Sequence, residues 1–424
     1  MKPTGKEVDA QDRAFGQHVQ RLRKERKLTQ QQLAAAMQRT ASWMSQVERG
    51  VQPVERFDVL QELADALGVS VQQLRPGAPM PDSGQAVDVF TAKSNDLDEA
   101  RRLISGHPAV GALLGAMRAR PPQPLPELQE EVDTVWTLTH EGRFAEVSAK
   151  LTEVLPDLEQ LVRATKGESQ HTAHLLLART YQALAAAFVR QDEADAAWVA
   201  ADRAIWAAER SHDPLHVCAG VFRMVQAFVR LKRLGQAEHA AQTSIDALTA
   251  LEREGSLSVE GRSVLGSLHL ALALTYARGQ QRAEAREQID RARSVAELIG
   301  EDRNDFDLEF GPTNVAIQAV STAVDLGDAG EALDLGKEID ATSLSPERQG
   351  RLLMDLGRAH AQRRHVGEAL KCLLEAEELV PETIRTHVAA RKAIRELVLI
   401  EGVSAPPELV ALAERADALA DSLE

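Results

Sequence analysis

A motif that recurs six times along the chain constrains its fold more than any other sequence feature. Each copy consists of a short turn, an acidic residue and a helical stretch rich in Ala and Leu. The acidic residues are Glu146, Asp195, Glu238, Glu284, Glu331 and Glu368. They lie 49, 43, 46, 47 and 37 positions apart, and a stretch with the apolar period of a helix precedes each turn. Because one such helix pair cannot bury its apolar face alone, the pairs are expected to stack on their neighbours.

Two helices per repeat, with small residues where the helices cross, resemble the tetratricopeptide repeat family. Members of that family repeat about every 34 residues, so the copies in this chain would be versions with longer helices. The resemblance implies an α-solenoid over residues 127–424, with a concave surface lined by the first helix of each pair. Such a groove would hold a peptide, a small ligand or a segment of a protein partner.

The composition favours a fold made of helices. Hydrophobic residues make up 44% of the chain but aromatic residues only 4%. Ala and Leu supply most of the apolar positions, and both are strong helix formers. We therefore predict an all-α protein, with a small N-terminal helical domain followed by the solenoid.

The N-terminal residues 12–75 carry five short stretches with a helical apolar period. Thr29 can cap the second of them, and Gln32 stands three residues later, which is the spacing of a capping box. Thr40 is the expected cap of the third helix, and Gly50 is its expected end.

The third predicted helix, residues 40–48, has an unusual polar face. Met44 and Val47 are expected to point inward. The opposite side carries Ser42, Ser45, Gln46 and Arg49, at relative positions i, i+3, i+4 and i+7. Side chains that both donate and accept hydrogen bonds suit base edges in a major groove, which admits a helix. An ordinary helical hairpin with a polar exterior is compatible with the same pattern.

The N-terminal segment also resembles the Cro/phage-repressor helix-turn-helix family, often called XRE-type. The resemblance lies in LTQQQLA, SQVERG and LADALGVSVQQL, which have the family's spacing without a gap. It implies a DNA-binding domain over residues 12–75, with the third helix as the recognition helix. The DNA-binding residues that it implies are Gln30, Thr40, Ala41, Ser42, Trp43, Ser45, Gln46 and Arg49. Among these, Gln30, Trp43 and Arg49 would contact the DNA backbone.

Two positions depart from the family pattern. The turn holds Gln38 where the family usually has Gly, so a residue with a side chain would have to adopt a positive φ there. Ala41 is short, and it can meet a thymine methyl group but cannot read guanine. At Trp43 the interpretation preferred here is a partly exposed ring against the sugar-phosphate edge, and a buried structural Trp is the alternative.

Charge is distributed unevenly along the chain. The net charge is −15, but residues 1–77 hold 12 Lys and Arg against 9 Asp and Glu, which leaves +3 there and −18 elsewhere. This distribution favours an approach of the first part alone to a polyanion. A Pro- and Gly-rich stretch at 75–85 and a Pro-rich stretch at 120–126 delimit a linker, residues 76–126, with a short helical pair at about 97–105 and 110–118.

Candidate groove residues lie on the first helices of the repeats. Pro312 opens one helix, on which Asn314 and Gln318 share a face at i and i+4. An Asn can hold a peptide backbone by paired donor and acceptor contacts, and peptide-sensing regulators of similar layout use groove Asn residues in this way. An ordinary polar face is the alternative. The remaining candidates, chosen by their place on first helices alone, are Tyr181, Arg223 and Gln226.

No pattern indicates catalysis or a resident cofactor. His171 and His174 share a helical face, but no third metal ligand has suitable spacing. The acidic residues Asp302, Asp305, Asp307 and Glu309 lack calcium-loop spacing and predict a solvated loop. Two distant cysteines and the absence of a segment of about 20 apolar residues favour a cytoplasmic protein that does not span a membrane.

We therefore predict a sequence-specific transcriptional regulator that is not an enzyme and that binds double-stranded DNA. The two half-sites of an operator would require a homodimer, held by the repeat domain. That domain would sense a peptide, a small ligand or a protein partner. The alternative is an interaction adaptor, in which the solenoid recruits a protein and the small domain does not read DNA.

Overall fold

The computed structural model of the chain describes residues 10–26, 28–37, 39, 41–51, 54, 57–67, 69, 71–74, 97–106 and 122–419. The regular elements in these ranges are helices, and the described strand-like pairing is a single bridge between Arg303 and Phe310. The predicted all-α class is therefore confirmed for the described residues. These residues form two compact units. One unit contains the described residues up to Leu74 together with the described residues from Arg391 onward, and the other contains the described residues from Leu97 to Ala390.

The five predicted N-terminal helices are present. They are α1 (Ala10–Glu25), α2 (Gln30–Ala36), α3 (Ala41–Glu48), α4 (Phe57–Leu67) and α5 (Val71–Leu74). Their apolar residues enclose one core, in which Val19, Leu33 and Leu60 are fully buried. The four helices α2 to α5 have 4 to 11 residues and are too short to be stable alone, so the shared core stabilises them.

The repeat region consists of helix pairs. After α6 (Asp98–Ile104), the pairs are α7 (Leu125–Glu141) with α8 (Phe144–Ala164), α9 (Glu168–Arg190) with α10 (Ala194–Ser211), α11 (Pro214–Arg230) with α12 (Leu234–Arg253), α13 (Val259–Arg278) with α14 (Arg282–Ile299), α15 (Pro312–Asp325) with α16 (Ala329–Gly336), and α17 (Pro346–Gln362) with α18 (Val366–Leu379). The first helix of each pair packs against its partner and against the first helix of the next pair. This is the stacked arrangement predicted from the repeated motif.

The turn inside each of these pairs has the same backbone geometry. One residue in each turn has a φ between 58° and 82°, namely Gly142, Asp192, Lys232, Gln280, Gly327 and Arg364. The next residue donates its N–H to a carbonyl five positions earlier, as Arg143 does to Leu138 at 3.0 Å. This is the Schellman closure of a helix. In five of the six copies the acidic residue lies in the first turn of the second helix, where the helix dipole favours a negative charge.

Within the repeat unit, the last helices return to the first. The Phe144 N–H donates to Glu382 in α19 (Pro381–Thr386), and Thr386 Oγ1 donates to the Arg190 carbonyl at 3.0 Å. A buried ion pair joins Arg190 to Glu347 at 3.1 Å. The last helices of the repeat unit are therefore bonded to its first helix pairs, and the side between them is called the inner side of the stack.

The chain continues into two further helices, α20 (Val388–Glu401) and α21 (Pro407–Arg415). Arg391 Nη2 donates to the Asp417 carbonyl at 2.6 Å, and Arg395 Nε donates to the Ala418 carbonyl at 2.5 Å. These bonds tie the segment after α21 back to α20. The second helix of the predicted linker pair, at 110–118, lies outside the described residues. In the described parts of the chain, none of the helices has both the length and the apolar character needed to cross a bilayer.

Candidate nucleic-acid interface and repeat groove

The predicted groove residues are more buried than an open groove requires. Tyr181 is 2% exposed, and its hydroxyl donates to Glu159 Oε1 of α8 at 2.9 Å. Tyr181 therefore packs between helices rather than on an open surface, and its part in ligand binding stays a prediction. Asn314 is buried with its Oδ1 unpaired among the described residues, while Gln318 is half-buried.

Arginines from three different helices converge on the inner side of the stack. We call Arg179 and Arg190 of α9, Arg223 of α11 and Arg348 of α17 the inner arginines. Arg223 is 2% exposed, and its Nη1 donates to the half-buried Gln226 at 3.4 Å. Burial, together with the like charges of Arg190 and Arg348, lowers the pKa of Arg223 to about 9. Arg223 therefore lies in a pocket that also holds the cations Arg190 and Arg348.

The acidic loop occupies this inner side. We call residues 301–311 the inner loop. Arg179 pairs with the Asp307 carboxylate at 3.3 Å, and Arg223 Nη2 donates to the Asp307 carbonyl at 2.8 Å. The expectation of a solvated loop is wrong for Asp305, Asp307 and Glu309, because their side chains are 14%, 15% and 8% exposed. Asp302 remains exposed.

The two histidines considered as metal ligands make aromatic contacts. The ring of His171 lies against that of His212 with centroids 4.7 Å apart, and His174 lies against Trp206 at 5.9 Å. In the ranges that the structure describes, no three His, Cys, Asp or Glu side chains are grouped as metal ligands.

In the N-terminal unit, local hydrogen bonds define the ends of α2 and α3. The Gln32 N–H donates to Thr29 Oγ1 at 3.1 Å, and the Thr29 N–H donates to Gln32 Oε1 at 2.9 Å. This confirms the predicted capping box. Gly50 has a φ of 72° and ends α3 as predicted. Gln38 and Thr40 lie outside the described residues.

The two faces of α3 have different environments. Met44 and Val47 are buried in the core of the unit. Ser45 and Gln46 are half-buried, whereas Ala41 and Arg49 are exposed. Among the described side chains, the polar face thus points away from the core, as the pattern predicts, and the description does not extend to the Ser42 side chain. The DNA contacts of these residues remain predictions.

A buried carboxylate connects α3 to both preceding helices. Glu48 accepts hydrogen bonds from Arg23 of α1 at 2.5 and 3.1 Å and from Gln30 Nε2 of α2 at 2.7 Å. The Arg23 and Glu48 side chains are 10% and 1% exposed. Burial opposes the ionisation of Glu48, but the hydrogen bonds from Arg23 and Gln30 outweigh it and hold its pKa below 4.5. Gln30, predicted to contact phosphate, thus also positions α3 in the free protein.

Helix α1 crosses α3 at Gly16 with no space for a side chain. A Cβ atom at this position would lie 2.7 Å from the Glu48 carbonyl oxygen and also within overlap distance of the Val47 carbonyl. Because both neighbours are backbone atoms of α3, neither can rotate away. The sequence pattern did not single out Gly16, since the residues that it contacts are 31 and 32 positions further along the chain.

Trp43 and Arg39 lie together at the start of α3. Trp43 is half-buried and packs against the edge of the core, and the Arg39 guanidinium lies 5.6 Å from the centroid of its ring. This geometry agrees with the prediction of a partly exposed ring. Arg39 is exposed and adds a cation near the N-terminus of α3, a residue that the sequence analysis did not name.

Comparison with known proteins bears on this part of the chain. Residues 14–76 match the family model described as a helix-turn-helix domain. This segment is a helix-turn-helix domain. No curated protein matches the chain. Among solved structures, PlcR of Bacillus thuringiensis, in complex with the peptide PapR7 and DNA, is similar at 15% identity with a TM-score of 0.33, and the alignment covers 89% of this chain and 99% of that chain.

The helix-turn-helix domain is expected to lose stability in acid through Glu48. A carboxyl whose folded pKa is depressed stabilises the fold above its unfolded pKa, and this contribution is lost as the pH falls through the folded pKa. The free energy of unfolding should therefore decrease below about pH 4.5 as Glu48 gains its proton. Labelling with 5-fluorotryptophan would report this change through the 19F resonance of Trp43, assigned with Trp43→Phe.

Two variants test the assignment of this pH dependence. Glu48→Gln should destabilise the domain near pH 7. In acid, where Glu48 of the wild type is protonated, the two proteins should have similar free energies of unfolding. Glu25→Gln alters an exposed carboxylate of α1, 60% exposed and 3.8 Å from Arg21, and should leave the profile unchanged. A Glu48→Gln protein with the pH profile of the wild type would contradict the role given to Glu48.

Proposed function

We propose that the protein is a sequence-specific, DNA-binding transcriptional regulator of the XRE type, acting in the cytoplasm without enzymatic activity. The observation that carries the proposal is the helix-turn-helix domain at residues 14–76. Its α3 is anchored by Met44, Val47 and Glu48 and carries Ser45 and Gln46 on the opposite side. An anchored helix with an available polar face is what major-groove reading requires.

In this proposal α3 enters the major groove of double-stranded DNA. Ser45 and Gln46 hydrogen-bond to base edges, and Ala41 contacts a thymine methyl group. Arg49 and Arg39, exposed near the two ends of α3, contact phosphates and set the position of the helix. Two copies of the domain bind half-sites about 34–36 Å apart, and the protein is accordingly a homodimer.

The repeat unit supplies regulation in this proposal. A peptide, small ligand or protein partner binds on the inner side of the solenoid and changes the relative rotation of its helix pairs. Because each pair contacts its neighbours, a small change per pair accumulates along the stack. The distance between the two reading domains of a dimer then changes.

Footprinting with genomic DNA fragments tests the reading of sequence. Gln46→Ala should weaken binding to the protected site by about 1–3 kcal/mol, roughly 5- to 150-fold, and relax the preference at one base pair. Arg49→Ala should weaken binding to all sequences alike and reduce the salt dependence by about one phosphate contact. Gln236→Ala, an exposed position in α12, is the matched control and should bind as the wild type does.

Binding that is salt-sensitive and blind to sequence in the wild type would defeat the proposal. The adaptor alternative predicts a different outcome for the double variant Gln46→Ala, Arg49→Ala. In that case DNA binding would be unaffected, and association with a protein partner would be lost.

A further inference from the structure

The inner loop is held by residues from several helix pairs other than its own. Arg348 Nε donates to Glu309 Oε2 at 3.3 Å, and its Nη2 donates to the Leu308 carbonyl at 3.1 Å. The Ser345 N–H and hydroxyl donate to the two Glu309 oxygens at 3.1 and 3.0 Å. Arg179 and Arg223 also contact Asp307. Side chains of other helix pairs therefore hold the loop in the way that a receptor holds a ligand.

The carboxylates of the loop supply most of the negative charge in this pocket. Among the described residues, the four inner arginines face three carboxylates that are at most 15% exposed, those of Asp307, Glu309 and Glu347. The further partner of Arg179, Asp133, is 54% exposed. Without the loop, the four guanidinium groups would face only Glu347 and the exposed Asp133. Buried cations without counter-charges are strongly unfavourable, so the pocket requires an anion.

The loop fits this pocket under strain. Phe306, Asp307 and Glu309 have φ values of 53°, 57° and 50°, a backbone conformation that residues with side chains adopt only at a cost in free energy. Burial raises the pKa of Asp307 despite the nearby Arg179. A free ligand with the same charges would meet neither the backbone strain nor the constraint of attachment at both chain ends.

We propose that the inner arginines form a binding site for an anionic ligand, and that Asp307 and Glu309 occupy this site as an internal competitor. The chemistry recognised is a pair of carboxylates about two residues apart, as in an acidic peptide segment or a small polycarboxylate. The inference rests on the ligand-sensing part of the proposed function and names the class of ligand. The ligand binds when the loop leaves, so the fraction of protein with an open site limits its apparent affinity.

Titration calorimetry with the sequence of the loop itself tests the proposal. The probes are the peptide RNDFDLEF, which corresponds to residues 303–310, its neutralised form RNDFNLQF, and citrate. The receptors are the wild-type protein and the variant Asp307→Asn, Glu309→Gln, whose loop has lost the competing charges. We expect the acidic peptide to bind the variant at least about tenfold more tightly than it binds the wild type, since one lost charged contact contributes roughly this factor. The neutralised peptide should bind poorly to both.

A matched control and a second variant separate charge from folding. Asp302→Asn changes the exposed acid of the same loop and should bind the acidic peptide with the affinity of the wild type. Gly266→Ala keeps every charge but places a methyl group against the ring of Phe310, which is fully buried. It should therefore displace the loop by steric overlap and increase peptide binding. Circular dichroism establishes that each variant is folded.

The outcomes decide between the sources of the anion. Binding of the acidic peptide and citrate to the opened variants supports recognition of free carboxylates, and binding of the acidic peptide alone supports an acidic peptide segment. Equal binding of the two peptides, or no gain in peptide affinity in the folded variants, overturns the proposal.

Amide exchange in the wild-type protein is a second test. Saturating acidic peptide should raise amide exchange in residues 303–310, and unchanged exchange would also overturn the proposal. DNA takes no part in these measurements, so their failure leaves the reading of DNA unaffected.

Discussion

Asp355→Ala is expected to lower the free energy of unfolding of the repeat unit by about 3–5 kcal/mol, the typical result of removing one partner from a buried ion pair. Asp355 is fully buried, and its two oxygens accept hydrogen bonds from Arg351 at 2.8 Å and from Arg358 at 2.6 Å. Arg358 also donates to Asp325 at 2.5 Å. Alanine would leave two buried guanidinium groups with one carboxylate between them and would also leave a cavity.

Urea unfolding followed by circular dichroism measures this loss. Asp334→Ala is the matched control, because Asp334 pairs with Lys337 at 2.8 Å while the two side chains are 77% and 72% exposed. Exposed pairs contribute little to stability because water and salt screen them, so this variant should unfold close to the wild type. Equal midpoints for the two variants would mean that the buried network contributes nothing specific to stability.

Gly16→Ala is expected to destabilise the helix-turn-helix domain and to weaken operator binding. Its Cβ would overlap the carbonyl groups of Val47 and Glu48, so α3 would have to move away from α1. Overpacking of this kind costs about 1–3 kcal/mol. Alanine otherwise favours a helix over glycine by roughly 0.5–1 kcal/mol, so a net loss has to arise from the crossing of the two helices.

Gly235→Ala provides the matched control for this prediction. Gly235 lies in α12, and nothing lies within 4 Å of the position that a Cβ would occupy. This variant should therefore be slightly more stable than the wild type. The 19F resonance of Trp43 during unfolding and the affinity for the footprinted site measure the effect of Gly16→Ala. If the Gly16→Ala protein were as stable as the Gly235→Ala protein, α3 could shift away from α1 without a loss of stability, and the prediction would be wrong.

Local sequence signals predicted the helix pairs and the ends of α2 and α3. The capping box needs Thr29 and Gln32 three positions apart, and the repeat motif needs an acidic residue directly after a turn. In both cases the interacting groups are neighbours along the chain. The apolar period of each helix likewise depends on neighbouring residues, so it is visible without knowledge of the fold.

The burial of the inner loop could not be predicted from local signals of this kind. A run of acidic residues is equally compatible with a solvated loop and with a buried one, and its partners decide which occurs. Arg179, Arg223 and Arg348 lie 128, 84 and 39 positions from their contacts in the loop. They reach it because the stack curves until its last pair meets its first. That curvature is the sum of small rotations between pairs, and no single repeat determines it.

The sequence by itself determined that this protein is helical, that its helices come in stacked pairs, and that a helix-turn-helix domain precedes them, because periodicity, capping and turn chemistry act over a few residues. Only the tertiary structure decided that Tyr181 is buried, that Gly16 allows α1 to approach α3, and that Asp307 and Glu309 lie among arginines. These outcomes depend on contacts between residues distant in the chain, which form only when the helices are packed.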